Sequence, residues 1–146
     1  MHEEGLKRFG EINVSEIMIK NPLFITSNEK ISVTELLMLR KNIGGLPVVK
    51  EPQKKELIGI ITQRDIRLAK FGISLESSNT IVKDLMTPEP FTVKEGDTIE
   101  HSLDLMFEKN IERLPVINEN KELIGLVLQH TILKALYDYI KSHNPP

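Results

Sequence analysis

Residues 41–49 read Lys-Asn-Ile-Gly-Gly-Leu-Pro-Val-Val, and residues 109–117 read Lys-Asn-Ile-Glu-Arg-Leu-Pro-Val-Ile. The shared phrase extends in both directions. Upstream it pairs Val14 with Val82, Met18 with Met86, Pro22 with Pro90, Ile31 with Ile99, Leu37 with Leu105 and Met38 with Met106. Downstream, after a short gap in the polar stretch from Lys50 to Lys54, Lys55-Glu56-Leu57-Ile58-Gly59 falls on Lys121-Glu122-Leu123-Ile124-Gly125. A gap there is what an exposed loop tolerates. The period is longer than the ~20–50 residues of solenoid and propeller repeats, and there are two copies, so the chain reads as a duplicated domain.

Each copy predicts the same order of elements. A helix is expected over Ile31 to Asn42, with its apolar stripe at Ile31, Leu36, Leu37 and Leu39, and its counterpart over Thr98 to Asn110. Asp97 with Glu100 three residues on resembles a capping box for the second helix. Short strands are expected before the helices at Leu23-Phe24-Ile25 and Phe91-Thr92-Val93. Strand pairs with polar turns follow at Leu46 to Val49 with Leu57 to Ile61, and at Leu114 to Ile117 with Leu123 to Leu128. Closing helices are expected over Gln63 to Phe71 and Gln129 to Ile140. The pattern is β-α-β-β-α twice, an α+β fold.

One copy of roughly 60 residues would bury only about 60% of its chain's surface, so the two copies are expected to pack together, leaving clefts where they meet. The expected domains are residues 12–71 and 81–140. Residues 72–80, with Ser74, Ser77, Ser78 and Asn79, read as the linker.

Composition narrows the function classes. With 146 residues, 40% hydrophobic and 27% charged, the chain is of ordinary globular type. A formal charge of −2 without a basic block argues against nucleic acid as a partner. The absence of cysteine excludes disulfides, thiolate chemistry and cysteine-based zinc sites. The acidic start Met1-His2-Glu3-Glu4-Gly5 has no apolar run of signal type, and no stretch approaches the ~20 apolar residues of a membrane span, so a cytoplasmic protein is expected. His2, His101, His130 and His143 lack metal-ligand spacing and read as surface residues, and no phosphate-loop or zinc-protease motif is present. A non-catalytic protein is expected. Met18, Met38, Met86 and Met106 occupy equivalent repeat positions and read as core filler at the interface of the copies.

Each copy resembles the cystathionine-β-synthase (CBS) domain: an opening of hxxhM type (Val14 to Met18, Val82 to Met86), a Leu-Pro-Val strand after the first helix, and a Leu-Ile-Gly strand near the end. The resemblance covers about residues 12 to 140. It implies two repeats packed sheet to sheet with pseudo-twofold symmetry, also called a Bateman module. Such pairs commonly bind AMP, ADP, ATP or S-adenosylmethionine and regulate an enzyme, channel or transporter, here an unknown protein. They commonly dimerise through their helices, which implies a homodimer with Ile66 to Phe71 and Ile132 to Ile140 as contact faces.

The resemblance also implies a site. Gly59-Ile60-Ile61-Thr62-Gln63-Arg64-Asp65 looks like the family's Gly-h-h-Thr/Ser-x-x-Asp element, in which the Asp accepts from both ribose hydroxyls and the Thr contacts ribose or phosphate. The other copy would complete the site with Phe91, Thr92 and Val93 around the adenine and Arg113, ahead of Leu114-Pro115, toward the phosphates. Glu112 stands where family members often carry His, which weakens the case for a polyphosphate. Read as residues alone, Thr62 with Asp65 also suits a helix N-terminus, and Arg113 also suits a surface salt bridge. In the second copy Leu128 stands at the Thr62 position, Thr131 at that of Asp65, and Gly45 faces it where Arg113 would be, so that cleft is expected to be empty or weak.

Overall fold

A computed structural model describes residues 3–72 and 79–143. Along them run α1 (Glu3–Gly10), a 3-10 turn (Val14–Glu16), β1 (Ile19–Lys20), β2 (Ile25–Thr26), α2 (Ile31–Lys41), β3 (Gly45–Val49), β4 (Leu57–Thr62), α3 (Gln63–Gly72) and α4 (Val82–Leu85). β5 (Thr87–Pro88), β6 (Val93–Lys94), α5 (Ile99–Lys109), β7 (Arg113–Ile117), β8 (Leu123–Leu128) and α6 (Gln129–Ser142) follow. The predicted β-α-β-β-α order is therefore present twice, in a mixed α/β chain. Most of the expected linker, residues 73–78, lies outside the described residues.

The near-unbroken apolar run Leu46-Pro47-Val48-Val49 makes β3 a strand buried along its length. It pairs antiparallel with β4 and parallel with β2, and β5 completes a sheet ordered β2-β3-β4-β5. A second sheet runs β1-β8-β7-β6. Two compact units result, one drawn from Met1–Pro22, Phe91–Glu119 and Ile124–Pro146, the other from Leu23–Pro90 and Asn120–Leu123.

These units do not follow chain order, because the opening segments are exchanged between the copies. β1, from the opening of the first copy, pairs with β8 of the second through Ile19↔Leu126 and Lys20↔Gly125. β5, from the opening of the second copy, pairs with β4 of the first through Gly59↔Pro88 and Ile60↔Thr87. Loop contacts repeat the exchange. The Val14 N–H donates to the Asp97 carbonyl (2.8 Å) in one unit, and the Val82 N–H to the Glu29 carbonyl (2.9 Å) in the other. Each opening also contributes a core valine, Val14 beside Ile99 and Met106, and Val82 beside Ile31 and Met38.

Four expectations are corrected in detail. The strands expected at Leu23–Ile25 and Phe91–Val93 form two residues later, because Ile25 and Val93 are the first residues to pair, with Val48 and Val116. The buried stripe of α2 is Ile31, Thr34 and Met38, while Leu36 and Leu39 lie exposed. α2 carries two apolar faces, and Thr34 is tolerated inside because its hydroxyl donates to the Lys30 carbonyl (3.0 Å). The cap of α5 is Thr98, whose Oγ1 accepts the His101 N–H (3.1 Å), whereas Asp97 closes the preceding turn by accepting from the Lys94 N–H (2.8 Å). Of the paired methionines, Met38 and Met106 are buried in the core of their own units, and the side chains of Met86 and Met18 lie against Gly59 and Gly125.

Both α2 and α5 end the same way. Asn42 and Asn110 adopt φ of 53°, and the next residues, Ile43 and Ile111, donate back to the carbonyls of Met38 and Met106 (3.0 Å each). These are Schellman-type ends, in which Asn accepts the left-handed geometry that most side chains resist. They turn the chain into β3 and β7.

Candidate functional site

The end of β4 meets the start of α3 at Thr62, where a helix leaves its first N–H groups without intrahelical partners. Three hydrogen bonds close this end. The Thr62 N–H donates to Asp65 Oδ2 (2.9 Å), the Thr62 hydroxyl donates to the same oxygen (3.0 Å), and the Asp65 N–H donates to Thr62 Oγ1 (3.1 Å). The helix-start reading of this pair is thus realised. The carboxylate is not exhausted by it, since Oδ1 has no partner among the described residues and Asp65 is half-buried. The Gln63 N–H donates to the Gly44 carbonyl (2.9 Å), which ties the junction to the loop before β3.

Gly59 and Ile60, upstream in β4, face β5. A Cβ on Gly59 would stand 2.6 Å from the Met86 sulfur and 3.0 Å from the Thr87 carbonyl oxygen. The close approach that the glycine permits is therefore taken by the protein's own opening segment. Ile60 is half-buried between its partners Pro47 and Thr87. Arg64 is exposed on the first turn of α3.

The remaining candidates belong to the other unit. Phe91 is 49% exposed, with the Lys109 ammonium 5.3 Å from its ring centroid. Thr92 is half-buried. Val93 and Leu114 are core residues and Pro115 is buried, so Val93 and Leu114 have no side chain free to offer a ligand. Arg113 opens β7 half-buried and enters no ion pair among the described residues, so the salt bridge that it also suited is not formed, and Glu112 beside it is exposed. Lys109 escaped the sequence reading. Its only signal was the repeated Lys-Asn-Ile, which reads as a helix end.

At the equivalent junction of the second copy, the Leu128 N–H donates to Thr131 Oγ1 (3.2 Å). One hydrogen bond replaces three, and no carboxylate is present. Gly45, opposite number of Arg113, is buried at the start of β3.

Two surface grooves occupy equivalent positions on the helical faces, one of about 630 Å³ between α1, α5 and α6 and one of about 550 Å³ between α2 and α3. The first is mainly apolar, with Leu103, Phe107, Leu133 and Leu136. The second carries Arg67 and the Lys70–Glu35 ion pair (2.7 Å) beside Leu36 and Leu39. Thr62, Asp65 and Arg113 line neither groove. No described helix is long and apolar enough to cross a membrane.

Comparison with known proteins agrees with this architecture. The family model for the CBS domain matches residues 14–72 and again 82–138, and the chain belongs to the CBS-domain family. It is 34% identical over 119 residues to an inosine-5'-monophosphate dehydrogenase of Methanocaldococcus jannaschii, covering 82% of this chain and 22% of the dehydrogenase. The chain thus spans about a quarter or less of that enzyme's length. Among solved structures, CBSX2 of Arabidopsis thaliana in complex with AMP superposes with a TM-score of 0.77 at 26% identity, over 86% of this chain and 96% of that one. The CBS domain pair of protein MJ0100, in complex with 5'-methylthioadenosine and S-adenosyl-L-methionine, gives 0.73 at 27% identity, over 87% and 97%.

Proposed function

We propose that the chain is a non-catalytic regulatory module that binds one adenine nucleotide per chain, with Asp65 accepting from the ribose. The observation that carries the reading is the open Oδ1 of Asp65, an acceptor held in place by the bonds to its other oxygen. The bound ligands of CBSX2 and MJ0100 share adenosine, which supports the ligand class. The single neutral bond at Thr131 gives the second copy no equivalent acceptor. The test is calorimetric titration with AMP, ADP, ATP, S-adenosylmethionine and GMP. Saturable binding of an adenine nucleotide near one per chain is expected, with binding largely lost in Asp65→Ala and little changed in Thr131→Ala. Ligand at a hundred times its Kd should stabilise the fold by about 2.7 kcal/mol.

A second reading is a ligand-free scaffold for self-association or docking. The apolar groove between α1, α5 and α6 favours it, and failure of every adenosine ligand to bind would leave it standing.

A further inference from the structure

We propose that the face formed by α2 and α3 is a docking surface for an amphipathic helix of a partner protein, one whose apolar side chains are flanked by acidic ones. The surface lies within a single unit, and neither Thr62 nor Asp65 lines its groove. Met38 and Ile66, both core residues, reach the groove from within, and Leu36 and Leu39 stand exposed along α2. On α3, Arg67 and Lys70 follow one another at the three-residue spacing that makes neighbours on a helix surface. The Lys70 ammonium meets the Glu35 carboxylate across the groove (2.7 Å), while Arg67 is exposed and enters no ion pair among the described residues.

Charge sets this face apart from its twin. α2 and α3 carry three arginines and two lysines against Glu35 and Asp65, whereas α5 and α6 carry three lysines against four carboxylates. The whole chain has a formal charge of −2, so the basic character is local. The repeat shows how it enters the groove: Glu35, Arg67 and Lys70 stand at the places of Leu103, Leu133 and Leu136, while Leu39 matches the equally apolar Phe107. Stability does not account for the exchange. The Lys70–Glu35 pair is exposed on both sides, and such pairs contribute little. Arg67 has no pair to contribute, and the second copy builds the same two-helix face with leucines at these positions.

Groove and charge together define the occupant. A helix laid between α2 and α3 would set apolar side chains at i, i+3 and i+7 against Leu36 and Leu39, with carboxylates in reach of Arg67 and Lys70. Complementary charge of this kind selects the partner and speeds its encounter. A second copy mated through the same face by a twofold axis would bring one basic patch against another. An anionic bilayer would suit the arginines but not the recessed groove or the carboxylate of Glu35 in its wall.

The test is fluorescence anisotropy with a labelled synthetic helix of about 14 residues, ~21 Å long, carrying leucines at i, i+3, i+4 and i+7 beside glutamates. A twin peptide has lysines in place of the glutamates, and vesicles of phosphatidylcholine with phosphatidylserine form a third arm. Saturable binding of the acidic helix is expected, at least about tenfold tighter than the lysine twin and weakened by added salt. Arg67→Glu with Lys70→Glu should weaken it at least about tenfold, whereas Leu133→Glu on the other face should leave it within about twofold. Should the double reversal not fold, Arg67→Gln is titrated in its place, with a loss of about threefold or more expected. Equal binding of the two peptides, or no saturation by the acidic one below about 1 mM, would overturn the proposal. Vesicle binding that depends on Arg67 and Lys70 would overturn it in favour of a lipid surface. Conversion of a wild-type dimer to a monomer by the double reversal would overturn it in favour of a contact between copies.

Discussion

A methyl group at position 59 has nowhere to go. The Met86 sulfur and the Thr87 carbonyl oxygen both lie within 3.0 Å of where it would stand, and the carbonyl belongs to a paired strand that cannot simply rotate away. Gly59→Ala is therefore expected to push β5 off β4 and cost about 1–3 kcal/mol, read as a lower urea midpoint. An unchanged midpoint would show that β5 is not held there. The sequence places Gly59 at the head of the family-like element but does not show what packs against it, because Met86 lies in the other copy's opening. The same limit applies to Thr62 and Asp65. Their spacing announces both a cap and a ligand site, and only hydrogen-bond directions show that the hydroxyl is already committed.

Helices α2 and α5 occupy equivalent places but treat their buried hydroxyls differently. Thr34 donates to the Lys30 carbonyl, whereas Ser102 Oγ, equally buried, has no partner among the described residues. An orphaned buried hydroxyl costs free energy that alanine does not. Ser102→Ala is accordingly expected to be neutral or stabilising by about 1 kcal/mol, and Thr34→Ala destabilising by about 1 kcal/mol or more. Chemical denaturation of the two variants checks the contrast, and a clear loss in Ser102→Ala would reveal a partner for the hydroxyl. These helices also mark how far periodicity reads. Their extents were legible from the apolar spacing and from the Lys-Asn-Ile ends, where Asn42 and Asn110 take the left-handed turn. Which face turns inward was not, since Leu39 (74% exposed) and Phe107 (76% exposed) are as apolar as Met38 and Met106 beside them.

For the molecule as a whole, that outward apolar face sets an expectation about self-association. Ile66 and Ile132, which open the expected contact faces, are core residues of their own units. Leu68, Phe71, Leu133, Tyr137 and Ile140 remain exposed along α3 and α6. A homodimer built on the α6 face is expected, with the mainly apolar groove around Phe107 and Leu133 contributing most. Sedimentation at tens of micromolar should give a dimer for wild type and a monomer for Leu133→Glu, with little change in the far-ultraviolet spectrum. A wild-type monomer would remove the expectation. The duplication was legible because its matches run from Val14 to Gly125. The exchange of β1 and β5 was not, since two-residue strands carry no period to recognise.

That exchange bears on how the chain reaches its native state. The unit drawn from the middle of the sequence has nearly all of its parts in one continuous stretch, short of the few residues from Asn120 to Leu123. The other must close a loop from Ile19 to Leu126 before its sheet is whole. Loop closure of that span is entropically costly and slows formation of the contacts that depend on it. During synthesis the first opening segment leaves the ribosome long before β8 exists, with Val14 and Met18 still lacking the core they complete. The middle unit is thus the natural nucleus, and the unit that holds Arg113 and Phe91 matures last.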